Sequence, residues 1–301
     1  MQDIIGRKPE RKELERLYES GRPEFVAVYG RRRVGKTFLV REHFSGRFSF
    51  YHTAISPADY QGRKKDLKNE QLRAFCSSIQ QFGGDWDTMP TDWFEAFACL
   101  RSLLEHRGDL GRKVVFIDEL PWMDSGRSGF VSALEHFWNG WGAGRTDLML
   151  IVCGSAASWM NDKIINNTGG LYGRLTYEMH LSPFSLAECE QFYESRGISM
   201  DRYDQVQSYM VFGGIPYYLN YLKPEYSLAE NIDNLFFANL FFFLYLFHYM
   251  LKFHLLVHDV INIIFFFLVF FALFYYYFPL FDLFFHLFHF VSNIILIFHS
   301  I

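Results

Sequence analysis

The chain has 301 residues, a formal net charge of −4 and four cysteines. The length accommodates one large domain or two smaller ones around a buried core, and so mild a charge singles out no polyanionic partner. The cysteines are far apart and form no CxxC pair, so they read as reduced, mostly buried thiols rather than a disulfide framework or a metal site.

The N-terminus, MQDIIGRKPERKELERL, is charged from its third residue and has no apolar signal-type core, which points to a cytoplasmic protein. Residues 8–20 read as a short amphipathic helix with Leu14, Leu17 and Tyr18 on one face. FVAVYG, 25–30, is a compact apolar strand, followed by GRRRVGKT and the helical stretch TFLVREHF. RFSFYHT reads as a second strand, and residues 66–82 and 92–107 as helices. KVVFIDEL, 113–120, and DLMLIVCGS, 147–155, are buried-type strands on either side of a helix over 128–141. Continuous apolar strands alternating with helices indicate an α/β fold, with a parallel sheet covered on both faces. From residue 182 the pattern is wholly helical, with pieces at 185–196, 201–212 and 216–222. Ser185 with Glu188 three residues on reads as a capping box opening the first of these.

GRRRVGKT fits G-x-x-x-x-G-K-[ST] through Gly30, Gly35, Lys36 and Thr37. Phosphates need inward-pointing backbone N–H groups, which glycine permits, a helix N-terminus, a lysine on the β/γ oxygens and a hydroxyl on Mg²⁺. The pattern alone should arise by chance in roughly one chain in a hundred of this size. Here it also follows a strand and opens a helix, so residues 30–38, with Val34 and Phe38, are expected to bind nucleotide. Arg31, Arg32 and Arg33 fill the variable positions. They read as solvated charge that attracts ATP, or as direct contacts to a phosphate or a neighbouring subunit.

VVFIDEL carries Asp118 and Glu119 to the C-terminal end of a strand, the end that faces the ligand crevice in an open α/β sheet. Asp118 is placed to hold Mg²⁺ with Thr37, and Glu119 to orient or deprotonate an attacking water. The second acid, and the room for a further strand between the two motifs, favour a hydrolytic ATPase over a kinase. Ser155 follows the next strand and can touch the γ-phosphate or the water, or else cap the turn AASWM. Arg174, after the irregular polar loop NDKIINNTGG, is either a phosphate-facing finger or half of a surface ion pair. In GGIPYYL, Pro216 sits near a helix start.

Taken together, IIGRKPERKELERL, VYGRRRVGKT, FIDELPWM, IVCGSAASWM, LYGRLTYEMHLSPFSL and FGGIPYYL resemble the archaeal-type ATPase family, a branch of the AAA+-related STAND P-loop NTPases. The resemblance runs from residue 1 to about 237. It implies an ASCE-type core over 1–181, a helical lid over 182–237, and ATP with Mg²⁺ between them. By the same analogy Gly6 and Arg7 lie beside the adenine and Pro216 belongs to the element that contacts the base. Ser155 takes the sensor position, and Arg174 belongs to the family's glycine–arginine pair. Catalysis would then rest on Glu119, Lys36, Ser155 and Arg174, in a molecular switch driven by ATP hydrolysis. The alternatives are a nucleotide-gated binding module with negligible turnover, or a membrane-anchored ATPase. A protein partner, a homo-oligomer and, through the family's winged-helix domain, DNA are the partners implied. Residues after 237 carry none of the charged helices that a winged helix needs.

The tail, 238–301, is of another kind. All 22 glycines lie at or before Gly214, whereas 20 of the 35 phenylalanines lie from Phe236 onward, where Glu, Gln, Arg, Thr, Trp and Cys are absent. INIIFFFLVFFALFYYYFPLF, 261–281, is long and apolar enough to span a bilayer, which takes about 20 residues. Yet Lys252 alone is available to orient it, and small residues for helix packing are scarce. Nearly all the tail residues have codons with T in the middle position or differ from such codons there alone. The composition therefore favours translation out of frame near Phe237 over a membrane anchor, and places a packed soluble element last. The tail histidines need no metal role on that reading.

Overall fold

The structure is a computed structural model and describes residues 3–236 apart from 64, 65, 87, 107, 109, 110, 126 and 127. All three readings of the tail lie outside the described residues. The chain divides between Pro183 and Phe184 into two compact units.

The first unit is built on a five-stranded parallel sheet in the order β2-β3-β4-β1-β5. The strands are β1 Glu24–Tyr29, β2 Phe48–Thr53, β3 Lys113–Asp118, β4 Leu148–Gly154 and β5 Tyr177–His180. Alternation within each strand sends side chains to two separate cores. Phe25, Ala27, Val115, Ile117, Leu150 and Val152 pack beneath the first layer, formed by α3 Leu67–Gln81, α4 Trp93–His106 and α5 Phe130–Gly140. Val26, Val28, Val114, Phe116, Met149 and Ile151 pack beneath the second, formed by α1 Lys8–Tyr18 and α2 Lys36–His43. Full burial of each such side chain contributes about 1.5–3 kcal/mol. This explains why β3 and β4 are apolar at nearly every position instead of alternating with polar residues.

The topology decides where chemistry can occur. β4 lies between β1 and β3, with Tyr29 opposite Gly154 and Ile117 opposite Val152. Because the strands are parallel, the loop after β1, the acids ending β3 and the residue after β4 emerge side by side at one edge of the sheet.

Three segments differ from the sequence reading. β5 was not expected as a strand: it has four residues, borders the sheet, and buries only Met179, too short a pattern to register as period two. AASWM, read as a turn, holds α6 Ala157–Met160, and the loop read as irregular, NDKIINNTGG, opens with a π-helical turn, Asn161–Ile165. There the buried pair Met160 and Ile164 is hidden among polar letters. In the second unit the helix expected over 216–222 is confined to α9 Pro216–Leu219, and α10 Leu228–Phe236 follows it.

The second unit also contains α7 Leu186–Ser195 and α8 Arg202–Phe212. Ser185 and Glu188 form the expected capping box, and Asp201 caps α8 by accepting from the Asp204 N–H at 2.8 Å. Ser227 and Glu230 repeat the reciprocal cap at α10. Buried Tyr193 donates to Ser208 Oγ at 2.9 Å, holding α7 to α8. No helix among the described residues is long and apolar enough to cross a membrane.

Candidate functional site

Beyond β1 the chain makes a tight loop that only certain residues allow. Gly30 has φ 143°, and a Cβ there would stand 2.4 Å from the carbonyl oxygen of Leu181. Gly35 has φ 92°, with open space where its Cβ would be, and Arg33 adopts the left-handed region at φ 72°. Left-handed residues of this kind are what phosphate-binding nests of backbone N–H groups are built from. Lys36 opens α2, is 5% exposed, and donates from Nζ to the carbonyls of Gly30 and Arg31, each at 2.9 Å. Burial holds its pKa below the usual lysine value, against the pull of Glu119 and Asp118 nearby. Val34 is buried in the second core, Arg31 and Arg32 are exposed, Arg33 is half-buried, and Phe38 is exposed on the first turn of α2.

Across the strand ends, Asp118 is 2% exposed and fully engaged. One carboxylate oxygen accepts from Thr37 Oγ1 at 2.8 Å and the other from the Glu119 N–H at 3.0 Å. Burial raises its pKa, while hydrogen bonds from Thr37 and the Cys153 thiol oppose the rise. Glu119 sits in the left-handed region at φ 50° and ψ 46°, a conformation that costs a non-glycine residue about 1–3 kcal/mol and is typically retained at working sites. Its carboxylate accepts from Ser155 Oγ at 2.7 Å and from the Ser155 N–H at 3.2 Å. Thr37, Asp118, Glu119 and Ser155 are thus one continuous hydrogen-bonded row across three strand ends.

Two supports escaped the sequence reading. Gln71 on α3 is fully buried. It accepts from the Ile55 N–H at 2.9 Å and donates to the carbonyls of Ile55 at 2.7 Å and Trp122 at 3.0 Å, fastening the turn after Glu119. Its place on the helix face shared with Leu72, Phe75 and Ile79 was the available signal. Asp124 accepts from Trp159 Nε1 at 2.9 Å, tying the loop after β3 to α6.

The other candidates stand apart from this row. Arg174 is exposed in the turn that follows Leu171, and its side chain makes no ion pair among the described residues. Gly6 and Arg7 both have positive φ, and the Arg7 guanidinium is buried against the carbonyls of Val34 and Ser182. Pro216 occupies the first turn of α9 in the second unit, behind Gly213 and Gly214, both left-handed. All four cysteines are free thiols, and Cys76, Cys153 and Cys189 are buried.

The donor set fits a nucleotide with a hard cation. A hydroxyl and a carboxylate 2.8 Å apart suit Mg²⁺, which takes one or two protein oxygens and completes its shell with phosphate and water. Among the described residues no group of three or more His, Cys, Asp or Glu side chains could hold a metal unaided.

Residues 5–222 match a family described as an ATPase domain predominantly from Archaea. The chain belongs to this family. An uncharacterised protein of Methanocaldococcus jannaschii is 25% identical over 225 residues, 73% of this chain and 44% of that protein. This archaeal-type ATPase chain therefore spans less than half the length of the curated relative it matches. Among solved structures, it is similar to a Walker-type ATPase of Pyrococcus abyssi, with a TM-score of 0.58 at 20% identity, covering 77% of this chain and 71% of that one. It also resembles the ORC2 protein of Aeropyrum pernix in complex with ADPNP and ADP, with a TM-score of 0.48 at 17% identity, covering 69% and 58%. The first likeness shows a shared fold, and with the family match it makes the chain a P-loop NTPase.

Proposed function

We propose that the chain binds ATP with Mg²⁺ and hydrolyses it, acting as a nucleotide-dependent molecular switch. The observation that carries this reading is the hydrogen-bonded row from Thr37 through Asp118 and Glu119 to Ser155, set beside a glycine-built loop with a buried lysine. Lys36 binds the β- and γ-phosphates, exchanging its loop carbonyls for phosphate oxygens. Thr37 and Asp118 hold the cation, whose charge offsets that of the phosphates. Glu119 accepts a proton from the attacking water, and Ser155 keeps the carboxylate aimed through its hydroxyl and its N–H. Arg174, exposed and without an ion pair among the described residues, is available to the γ-phosphate, in its own chain or from a second copy. Gly6 serves the base side of the nucleotide.

Substituting Lys36→Ala removes the only cationic group buried in the loop. Equilibrium titration with ATP and Mg²⁺ should then show no binding at concentrations that saturate the wild type. An unchanged affinity would overturn the reading.

A further inference from the structure

Arg7 belongs to the N-terminal segment, far in sequence from the phosphate loop, yet its side chain acts on that loop. It is 4% exposed and held in the left-handed region at φ 55°, directly after Gly6 at φ 63°. Its Nη2 donates to the Val34 carbonyl at 3.2 Å and to the Ser182 carbonyl at 2.7 Å, while Nη1 meets Glu10 Oε1 at 3.4 Å.

Val34 immediately precedes Gly35. The peptide between them is planar and trans, so its C=O and N–H point in opposite directions. Holding the Val34 oxygen on a buried cation therefore fixes the direction in which the Gly35 N–H is offered, and such N–H groups are what a phosphate loop binds with. The Ser182 bond extends the support. Its neighbour Leu181 donates its N–H to the Tyr29 carbonyl at 2.8 Å, and its own carbonyl is what would meet a Cβ on Gly30. The chain is thus held at Tyr29, just before Gly30, by Leu181 and at Val34 by Arg7, whose bond to Ser182 ties the two supports together.

We infer that Arg7 is a positioning residue for the phosphate loop, acting on the polyphosphate part of the nucleotide and not on the base. The inference rests on the ATP-binding reading. It is tested on the full chain with Arg7→Ala and Arg7→Lys, by titrating ATP, GTP and inorganic tripolyphosphate in the presence of Mg²⁺, with thermal melting as a check on folding. Arg7→Ala should weaken all three ligands by a common factor on the order of tenfold, raising KM more than it lowers kcat. Arg7→Lys should recover part of the loss, since one ammonium can still hold one carbonyl, and it keeps the test decisive if the alanine variant does not fold. A loss confined to ATP, or unchanged affinity for all three ligands, would overturn the inference. Wild-type titrations separate the two ideas: no nucleotide binding by the wild type sinks the ATP reading itself, whereas wild-type binding that survives in both variants sinks only the role of Arg7.

Discussion

In the loop from Gly30 to Thr37 the working groups are largely main-chain, whereas at Asp118, Glu119 and Ser155 they are side chains. The loop owes its shape to local conformation: positive φ at Gly30, Arg33 and Gly35, and a lysine folded onto carbonyls five and six residues behind it. The acid row owes its shape to strand pairing, which sets residues 36 positions apart within 2.7 Å of each other. The first region should therefore be sensitive to backbone changes and indifferent to its exposed side chains. The second should respond to the loss of single carboxylate or hydroxyl oxygens.

The largest effect expected falls on the acid side. Glu119→Gln preserves shape and a hydrogen-bonding side chain but removes the base, so phosphate release at saturating ATP should fall by about 10²–10⁴-fold while ATP affinity changes little. If phosphate release is unaltered, Glu119 is not the base; release no faster than the uncatalysed background in both proteins would make the nucleotide-gated binding module with negligible turnover the better account of the chain.

On the loop side the corresponding change is Gly30→Ala. The new Cβ would meet a backbone oxygen at 2.4 Å, at a φ of 143° that side chains rarely adopt. Strain and overpacking together should cost about 3 kcal/mol or more, seen as a lowered midpoint in urea unfolding. Arg31→Ala, one residue along and exposed, should leave that midpoint unmoved. Equal losses in the two variants would break the distinction between a backbone-built and a side-chain-built region.

This division also governs what could be read in advance. The loop was legible because its determinants are neighbours in sequence, and Asp118 and Glu119 were legible because a continuous apolar run ends on them. That Glu119 and Ser155 bond to each other was not legible, since it depends on β4 lying next to β3. Gln71 looked like any polar residue of an amphipathic helix until the turn at Trp122 was seen resting on it. β5 and the π-helical turn were missed for a simpler reason: each buries only one or two residues, and so short a pattern carries little signal.

The acid row also inherits whatever happens beneath β3, where His52 on β2 stands opposite Ile117. His52 is 3% exposed, and its Nδ1 is 2.9 Å from Ser78 Oγ, which itself donates to the Ala74 carbonyl. Nδ1 is therefore the donor, and Nε2 is buried with no partner among the described residues. A second proton would have no acceptor among the described residues, and burial lowers the pKa from 6.5 to about 4. Between these values the unfolded chain binds the proton and the folded chain does not, so stability falls as the pH drops from 6.5 towards 4. The loss from this residue amounts to at most about 3 kcal/mol. Urea unfolding at pH 7 and pH 4.5 should show it, and His52→Gln should flatten the slope. An equal slope in that variant would place the acid sensitivity elsewhere.

The smallest effect is the most discriminating. Ser155→Ala removes the hydroxyl bond to Glu119 at 2.7 Å but keeps the N–H bond at 3.2 Å, because alanine still carries an amide hydrogen. The carboxylate keeps one of two anchors, and the lost bond to a charged group is worth about 1.5 kcal/mol. Turnover should therefore fall by roughly tenfold, with ATP affinity unchanged and Ser155→Thr restoring the rate. A fall in affinity matching the fall in rate would move Ser155 to the phosphate-holding region. A rise in turnover would mean that the hydroxyl restrains Glu119 instead of aiming it, and the row of bonds would then be a catch that must open before water is activated.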